Sequence, residues 1–244
     1  MTADRAQSFS WGRGLRSFVL GTLLLLGTLA LLPAFRSFGY QLFSMPSGSM
    51  KPTLLVGDYF VVAKYAYGYS RYSFPGSAEL FSGRVFAAQP RYGDVVVFRL
   101  PRDPLTEYVK RVVGVPGDHI QMIHGVLNIN GVPVKQERID DFVETGTAAG
   151  TTRIKQWRET LPNGVSYATL DLYSEGFWDN TGVYPVPTGY YFVMGDNRDN
   201  SQDSRTSQIG YVPFENLIGR VDRIFFSVDA KSGVRFERTG MAVR

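Results

Sequence analysis

The sequence predicts a mostly β protein preceded by one N-terminal transmembrane helix. Three observations carry that prediction. From residue 40 onward, short runs rich in β-branched and aromatic residues recur between glycine and proline turns. No long stretch of 3.6-residue periodicity lies outside a single apolar segment. That segment, Phe18 to Phe35, is 18 residues without a charge, about 27 Å of helix and close to the hydrocarbon thickness of a bilayer.

The chain's 244 residues suffice for one large domain or two small ones with a real core. The net charge of +4 is small and dispersed, which argues against a nucleic-acid surface. There is no cysteine, so a disulfide framework, a thiol nucleophile and a cysteine zinc site are all excluded. With only His119 and His124, a histidine-rich metal centre is not expected either. No cofactor and no metal are expected.

The apolar run is read as a retained anchor over residues 17–36. A cleavable secretory signal has a shorter apolar part, about 7–15 residues, and a small-x-small site after it; Arg36-Ser-Phe-Gly-Tyr-Gln-Leu-Phe43 offers none. Arg5, Arg13 and Arg16 precede the run, with Asp4 the only acid there. The positive-inside bias then places residues 1–16 in the cytoplasm and everything after residue 36 on the other side. Tyr65, Tyr67, Tyr69 and Tyr72 are expected either to form an aromatic patch at the headgroup level or to pack internally on one strand face.

Strands are expected as follows. Leu55–Ala63 reads as a turn feeding a strand, and Asp94–Leu100 as a strand ended by Pro101. Glu107–Val115 closes on the Pro116-Gly117-Asp118 turn. His119–Ile123 and Gly125–Gly131 resemble a hairpin, with Asn130-Gly131 as a turn signal. Gly189–Gly195 and Leu217–Val228 complete the set. Residues 135–185 are more polar, with turn-forming clusters at Gly146–Gly150 and Leu161–Gly164, and read as an inserted subdomain or a long excursion between two core strands. The last residues, about 230–244, are basic and weakly patterned and are expected to fray.

Three segments could carry chemistry. In Met45-Pro-Ser-Gly-Ser-Met50, Pro and Gly flank Ser49 and hold it in a turn. Such a turn either is a plain connection or exposes a hydroxyl beside N–H groups that can stabilise an oxyanion. A serine nucleophile needs a base, and neither histidine lies in a triad motif. Lys110 is an alternative. Strand alternation puts it on the face of Tyr108 and Val112, opposite Arg111. If that face is buried, desolvation lowers the lysine's pKa and a neutral amine becomes available; otherwise its head reaches water. The third segment, Gly195-Asp-Asn-Arg-Asp-Asn-Ser-Gln-Asp-Ser-Arg205, reads as a polar loop crosslinked by its own side chains, with Asp203 and Arg205 placed to pair. Calcium-loop spacing fails there, because position 198 is Arg and position 201 is Ser.

Taken in order, the anchor, Pro46-Ser-Gly-Ser-Met50, Tyr92-Gly-Asp-Val-Val-Val-Phe98, Lys110-Arg-Val-Val-Gly-Val-Pro-Gly-Asp118 and the 195–205 run resemble bacterial type I signal peptidase, a Ser–Lys dyad protease family, from the anchor to about residue 228. The resemblance implies a membrane-bound serine endopeptidase that removes signal peptides from exported preproteins after Ala-x-Ala-like sites. It implies Ser49 as nucleophile, Lys110 as general base, and Ser47 in the oxyanion hole beside the Ser49 N–H. It also implies that Ser201 orients the Lys110 amine and that Asp203 and Arg205 hold the loop carrying Ser201. Phe43, Met45, Met50, Leu54, Tyr108 and Val109 are implied to line shallow substrate pockets, with the substrate strand adding to strand edges near Met45 and Tyr108.

The implied fold is an antiparallel β-sheet catalytic body, residues 37–119 and 188–230, with a β-rich subdomain inserted over 120–187 and a tail over 231–244. The implied location is the bacterial inner membrane, single-pass, with the catalytic domain on the outer side. The partners are signal-peptide-bearing preproteins and the lipid bilayer, with no nucleic acid. Two other readings stand beside this one: a self-cleaving Ser–Lys protease of the repressor type, and an anchored β-domain that binds envelope partners without catalysis.

Overall fold

The computed structural model describes residues 11–74, 81–147 and 150–243. Among the described residues a helix α1 (Trp11–Phe38) leads into fifteen strands: β1 (Tyr40–Ser44), β2 (Asp58–Ala63), β3 (Val95–Leu100), β4 (Asp103–Gly114), β5 (His119–Ile123), β6 (Val126–Ile129), β7 (Val132–Pro133), β8 (Lys135–Thr147), β9 (Gly150–Thr160), β10 (Ser166–Asp171), β11 (Tyr184–Pro185), β12 (Tyr190–Met194), β13 (Val212–Pro213), β14 (Leu217–Asp229) and β15 (Gly233–Val234). The largest sheet runs in the order β1-β2-β14-β3-β4-β12-β13, with β15 paired to β14. Its neighbours are antiparallel throughout. Between β4 and β12 the chain builds two smaller antiparallel sheets, β11-β5-β6-β7 and β10-β9-β8.

The uninterrupted apolar run Val95-Val-Val-Phe98 is explained by the position of β3. Val95 and Val97 enter one cluster with Met50, Leu54, Phe60 and Ile224, while Val96 and Phe98 enter another with Val112, Tyr191 and Leu217. A strand covered on both faces needs apolar residues at every position rather than alternate ones. β4 is covered in the same way, with Val109, Val112 and Val113 each in a different cluster.

At four places the structure is more specific than the sequence. Residues 135–147 and 150–160 form the long antiparallel pair β8–β9, whose last described pair is Thr147 with Gly150; its strands lack a clean alternation because only isolated residues such as Ile154 and Glu159 face inward. The tail does not fray: Val243 packs on the first cluster, its N–H donates to the Asp222 carbonyl (2.9 Å), and Arg238 pairs with Asp58. The tyrosine patch is not built as a headgroup surface, since Tyr67 and Tyr72 are buried. Tyr67 donates to Asp94 Oδ2 (2.8 Å), and of the four only Tyr65 is well exposed. Finally, among the described residues no helix is long and apolar enough to cross a membrane. Of the run Phe18–Phe35, side chains are described only as far as Thr28; Leu20, Leu23, Leu24, Leu25 and Leu26 are exposed.

Candidate active site

Three chain segments converge at the end of β1. The first is the loop after it. Lys51 N–H donates to the Gly48 carbonyl (3.2 Å) and Leu54 N–H to the Met50 carbonyl (2.9 Å), so Ser49 sits in a tight turn and not in a strand. The second is the middle of β4. The third is the loop after β12, brought to β4 by the Met194↔Arg111 pairing.

Lys110 Nζ lies 2.8 Å from Ser49 Oγ and donates to it; its other acceptor is the Val109 carbonyl (2.8 Å). Lys110 is 2% exposed and Ser49 8%. Burial disfavours the ammonium and lowers the Lys110 pKa to about 8, against the opposing pull of the Asp203 and Asp196 carboxylates. Ser47 Oγ is 3.3 Å from Ser49 Oγ. Among the described residues no cluster of His, Asp and Glu could hold a metal ion.

The 195–205 loop is crosslinked internally. Arg205 Nε and Nη2 reach the two Asp203 oxygens (2.9 and 2.8 Å), and Gly195 N–H donates to Asp203 Oδ2 (3.1 Å). Burial by itself would raise the Asp203 carboxyl, but the Arg205 guanidinium and that N–H outweigh it and hold the pKa below its ordinary value. The Lys110 amine bonds Ser49 and Val109, and the Ser201 hydroxyl turns to Asp203 and helps to hold that carboxylate low. Gly195 explains how close the loop comes: a Cβ there would lie 2.2 Å from Ser201 Oγ and 2.6 Å from the Ser49 carbonyl oxygen.

A cleft of about 840 Å³ opens over the dyad. Phe43, Met45, Tyr108 and Val109 line it, together with Ser47, Ser49, Lys110, Asn200 and Gln202. Met50 and Leu54 do not reach it. Both are fully buried in the cluster beneath, because the turn that presents Ser49 aims its neighbours at the core. β1 is the end strand of its sheet. Upstream of Arg111, β4 pairs only with β3 among the described residues. Two strand edges therefore flank the cleft.

Several groups important to this geometry were not singled out from the sequence. Arg111, fully buried, forms a two-pronged pair with Asp196 (2.8 and 2.7 Å), donates to the Gly93 carbonyl (2.7 Å) and stacks 4.0 Å from the Tyr167 ring centre. Thr53 Oγ1 donates to the same Asp196. Asn197 clamps the nucleophile's backbone: its N–H donates to the Ser49 carbonyl and its Nδ2 to the Gly48 carbonyl, each 3.1 Å. Arg198 pairs with Glu159 of β9, and its N–H donates to the Leu170 carbonyl of β10 (3.0 Å). The loop is thus fixed to the three-stranded sheet as well as to β4. The available signal was an arginine, Arg111, among valines in a strand covered on both faces.

Comparison with known proteins shows which of them this chain is similar to. The family model described as "Signal peptidase, peptidase S26" matches residues 16–226. The "Signal peptidase I" of Rickettsia typhi is 47% identical over 195 residues, covering 76% of this chain and 71% of that protein. That of Rickettsia prowazekii is 46% identical over the same shares. A crystal structure of a signal peptidase I from Enterococcus faecalis is 25% identical, covering 55% of this chain and 97% of that one, with a TM-score of 0.32.

Proposed function

The chain belongs to the signal peptidase family, peptidase S26, and we propose that it removes signal peptides from exported preproteins by a Ser49–Lys110 dyad. The observation that carries the dyad is the 2.8 Å contact between Lys110 Nζ and Ser49 Oγ inside a buried setting that brings the lysine's pKa to about 8. The neutral Lys110 amine takes the Ser49 proton as Oγ bonds to the scissile carbonyl carbon. The oxyanion is received by the Ser49 N–H and the Ser47 hydroxyl. The Lys110 ammonium then protonates the leaving amine as the C–N bond breaks. A water, deprotonated by the same amine, releases the acyl group.

The substrate extends beside β1 and the free edge of β4 and adds main-chain hydrogen bonds to both. Phe43, Met45, Tyr108 and Val109 contact its side chains. These shallow walls suit Ala-x-Ala. Asp203 and Arg205 hold the 195–205 loop against Lys110. Ser201, whose hydroxyl lies against Gly195, orients the Lys110 amine. Residues 37–119 and 188–230 form the catalytic body and 120–187 the insert.

Residues 17–36 anchor the protein in the bacterial inner membrane. The 18 uncharged residues from Phe18 to Phe35 and the outward-facing leucines of α1 support this, and the basic residues before the run place the N-terminus in the cytoplasm. The test is cleavage of an Ala-x-Ala precursor in detergent. Ser49→Ala and Lys110→Met should both abolish cutting while remaining folded. Full activity in either would show that the dyad is wrongly assigned.

A further inference from the structure

The C-terminal segment returns to the body at one buried carboxylate. After β15, a short turn at Phe236–Arg238 brings Arg238 to Asp58, with Nε 3.1 Å from Oδ1 and Nη2 2.6 Å from Oδ2. Arg235 Nη2 lies 3.5 Å from Oδ1, and Ser227 Oγ donates to the same oxygen (2.6 Å). Asp58 is wholly buried, so these partners are what make its burial tolerable.

This knot grips both ends of the loop that carries Ser47 and Ser49. At the entrance, Met45 N–H donates to the Asp58 carbonyl (2.8 Å) and Gly57 N–H to the Met45 carbonyl (3.0 Å). At the exit, Arg238 Nη2 donates to the Thr53 carbonyl (2.9 Å), and Leu55 N–H donates to Asp58 Oδ2 (2.8 Å). Thr53 in turn bonds Asp196, the carboxylate held by Arg111 beside Lys110. The fit leaves no slack: a Cβ on Gly57 would sit 1.9 Å from the Val228 carbonyl oxygen.

We propose that Arg238, seconded by Arg235, is a positioning residue for the nucleophile loop, so that the tail beyond β15 is part of the active-site scaffold. The proposal rests on the Ser49–Lys110 reading. The tail lies past residue 226, where the family match ends. A merely structural Arg238 would stabilise the fold without altering turnover by the folded protein.

The test uses the full chain in detergent with an Ala-x-Ala precursor, with active wild type and inactive Ser49→Ala confirming the dyad in the same assay. Arg238→Lys keeps a cation against Asp58 but cannot serve both carboxylate oxygens and the Thr53 carbonyl at once. Its kcat should fall about tenfold with KM within about twofold, because the loop shifts from its exit at Thr53 while Phe43 on β1 and Tyr108 and Val109 on β4 stay in place. Asp58→Asn combined with Arg238→Met removes the buried carboxylate together with its two-pronged partner, and the remaining Arg235 keeps Ser227 Oγ and the Val56 and Val228 carbonyls as acceptors. It too should be folded by near-UV circular dichroism and low in kcat. A kcat near wild type in either folded variant, or a loss confined to KM, overturns the proposal. Cutting by Ser49→Ala would instead sink the dyad itself.

Discussion

Lys110→Met should yield a protein that is dead as a protease yet more stable than wild type at neutral pH. The lysine's pKa is lowered from 10.5 to about 8 on folding because its charged form is buried. That difference corresponds to about 3 kcal/mol of destabilisation at pH 7, where both the folded and the unfolded amine are charged. Above pH 8 the folded amine releases its proton while the unfolded one keeps it, so wild-type stability climbs with pH. The climb ends near 10.5, where both are neutral. Methionine has similar bulk and no charge, and removes the penalty at every pH.

It also forfeits the hydrogen bonds to Ser49 Oγ and the Val109 carbonyl, at about 1 kcal/mol each. The net gain at pH 7 is therefore on the order of 1 kcal/mol, or about 2–4 °C in Tm for a domain of this size. Thermal unfolding of both proteins from pH 7 to 10.5 would follow the gap, which should shrink and then reverse as pH rises. A variant less stable than wild type at pH 7, with no pH-dependent change in the difference, would refute the claim that Lys110 is held against an unfavourable burial.

Cleavage by the wild type should follow the same group. At pH 7 roughly a tenth of the amine is neutral, against about one in three thousand for an ordinary lysine, so kcat/KM should rise through about pH 8 and level off above it; a rate independent of pH from 6 to 9 would exclude Lys110 as the base. Gly195→Ala places a methyl against both Ser201 and the Ser49 carbonyl, and kcat should drop by about 100-fold or more; near-normal turnover would show that the 195–205 loop does not set the nucleophile's position. Asp196→Asn leaves the buried Arg111 without its counter-charge and should cost about 3–5 kcal/mol in urea unfolding, much of it recovered by adding Arg111→Met; no recovery in the double variant would mean that the stranded charge is not the cause.

The sequence by itself determined the order of the main strands and the three segments that carry the chemistry. Val95–Phe98 is wholly apolar and Leu217–Val228 is rich in β-branched and aromatic residues, so their local preference and their place in the sheet agree. It also offered Ser49 and Lys110 as candidates, because their motifs are compact in the chain. It did not show the β8–β9 hairpin, whose described side chains are nearly all exposed or half-buried and so obey no strong period.

The tertiary structure decided which side chains meet. Strand alternation can assign Lys110 and Arg111 to opposite faces, but only the covering of β4 on both faces makes each of them buried, one beside a serine and the other beside a carboxylate. Met50 and Leu54 stand within a few residues of Ser49 and yet belong to the core, because a tight turn reverses the direction in which successive side chains point. The grip of Arg238 on Asp58 joins residues separated by most of the chain. Such contacts depend on how the folded sheet closes and leave no periodic trace in the sequence.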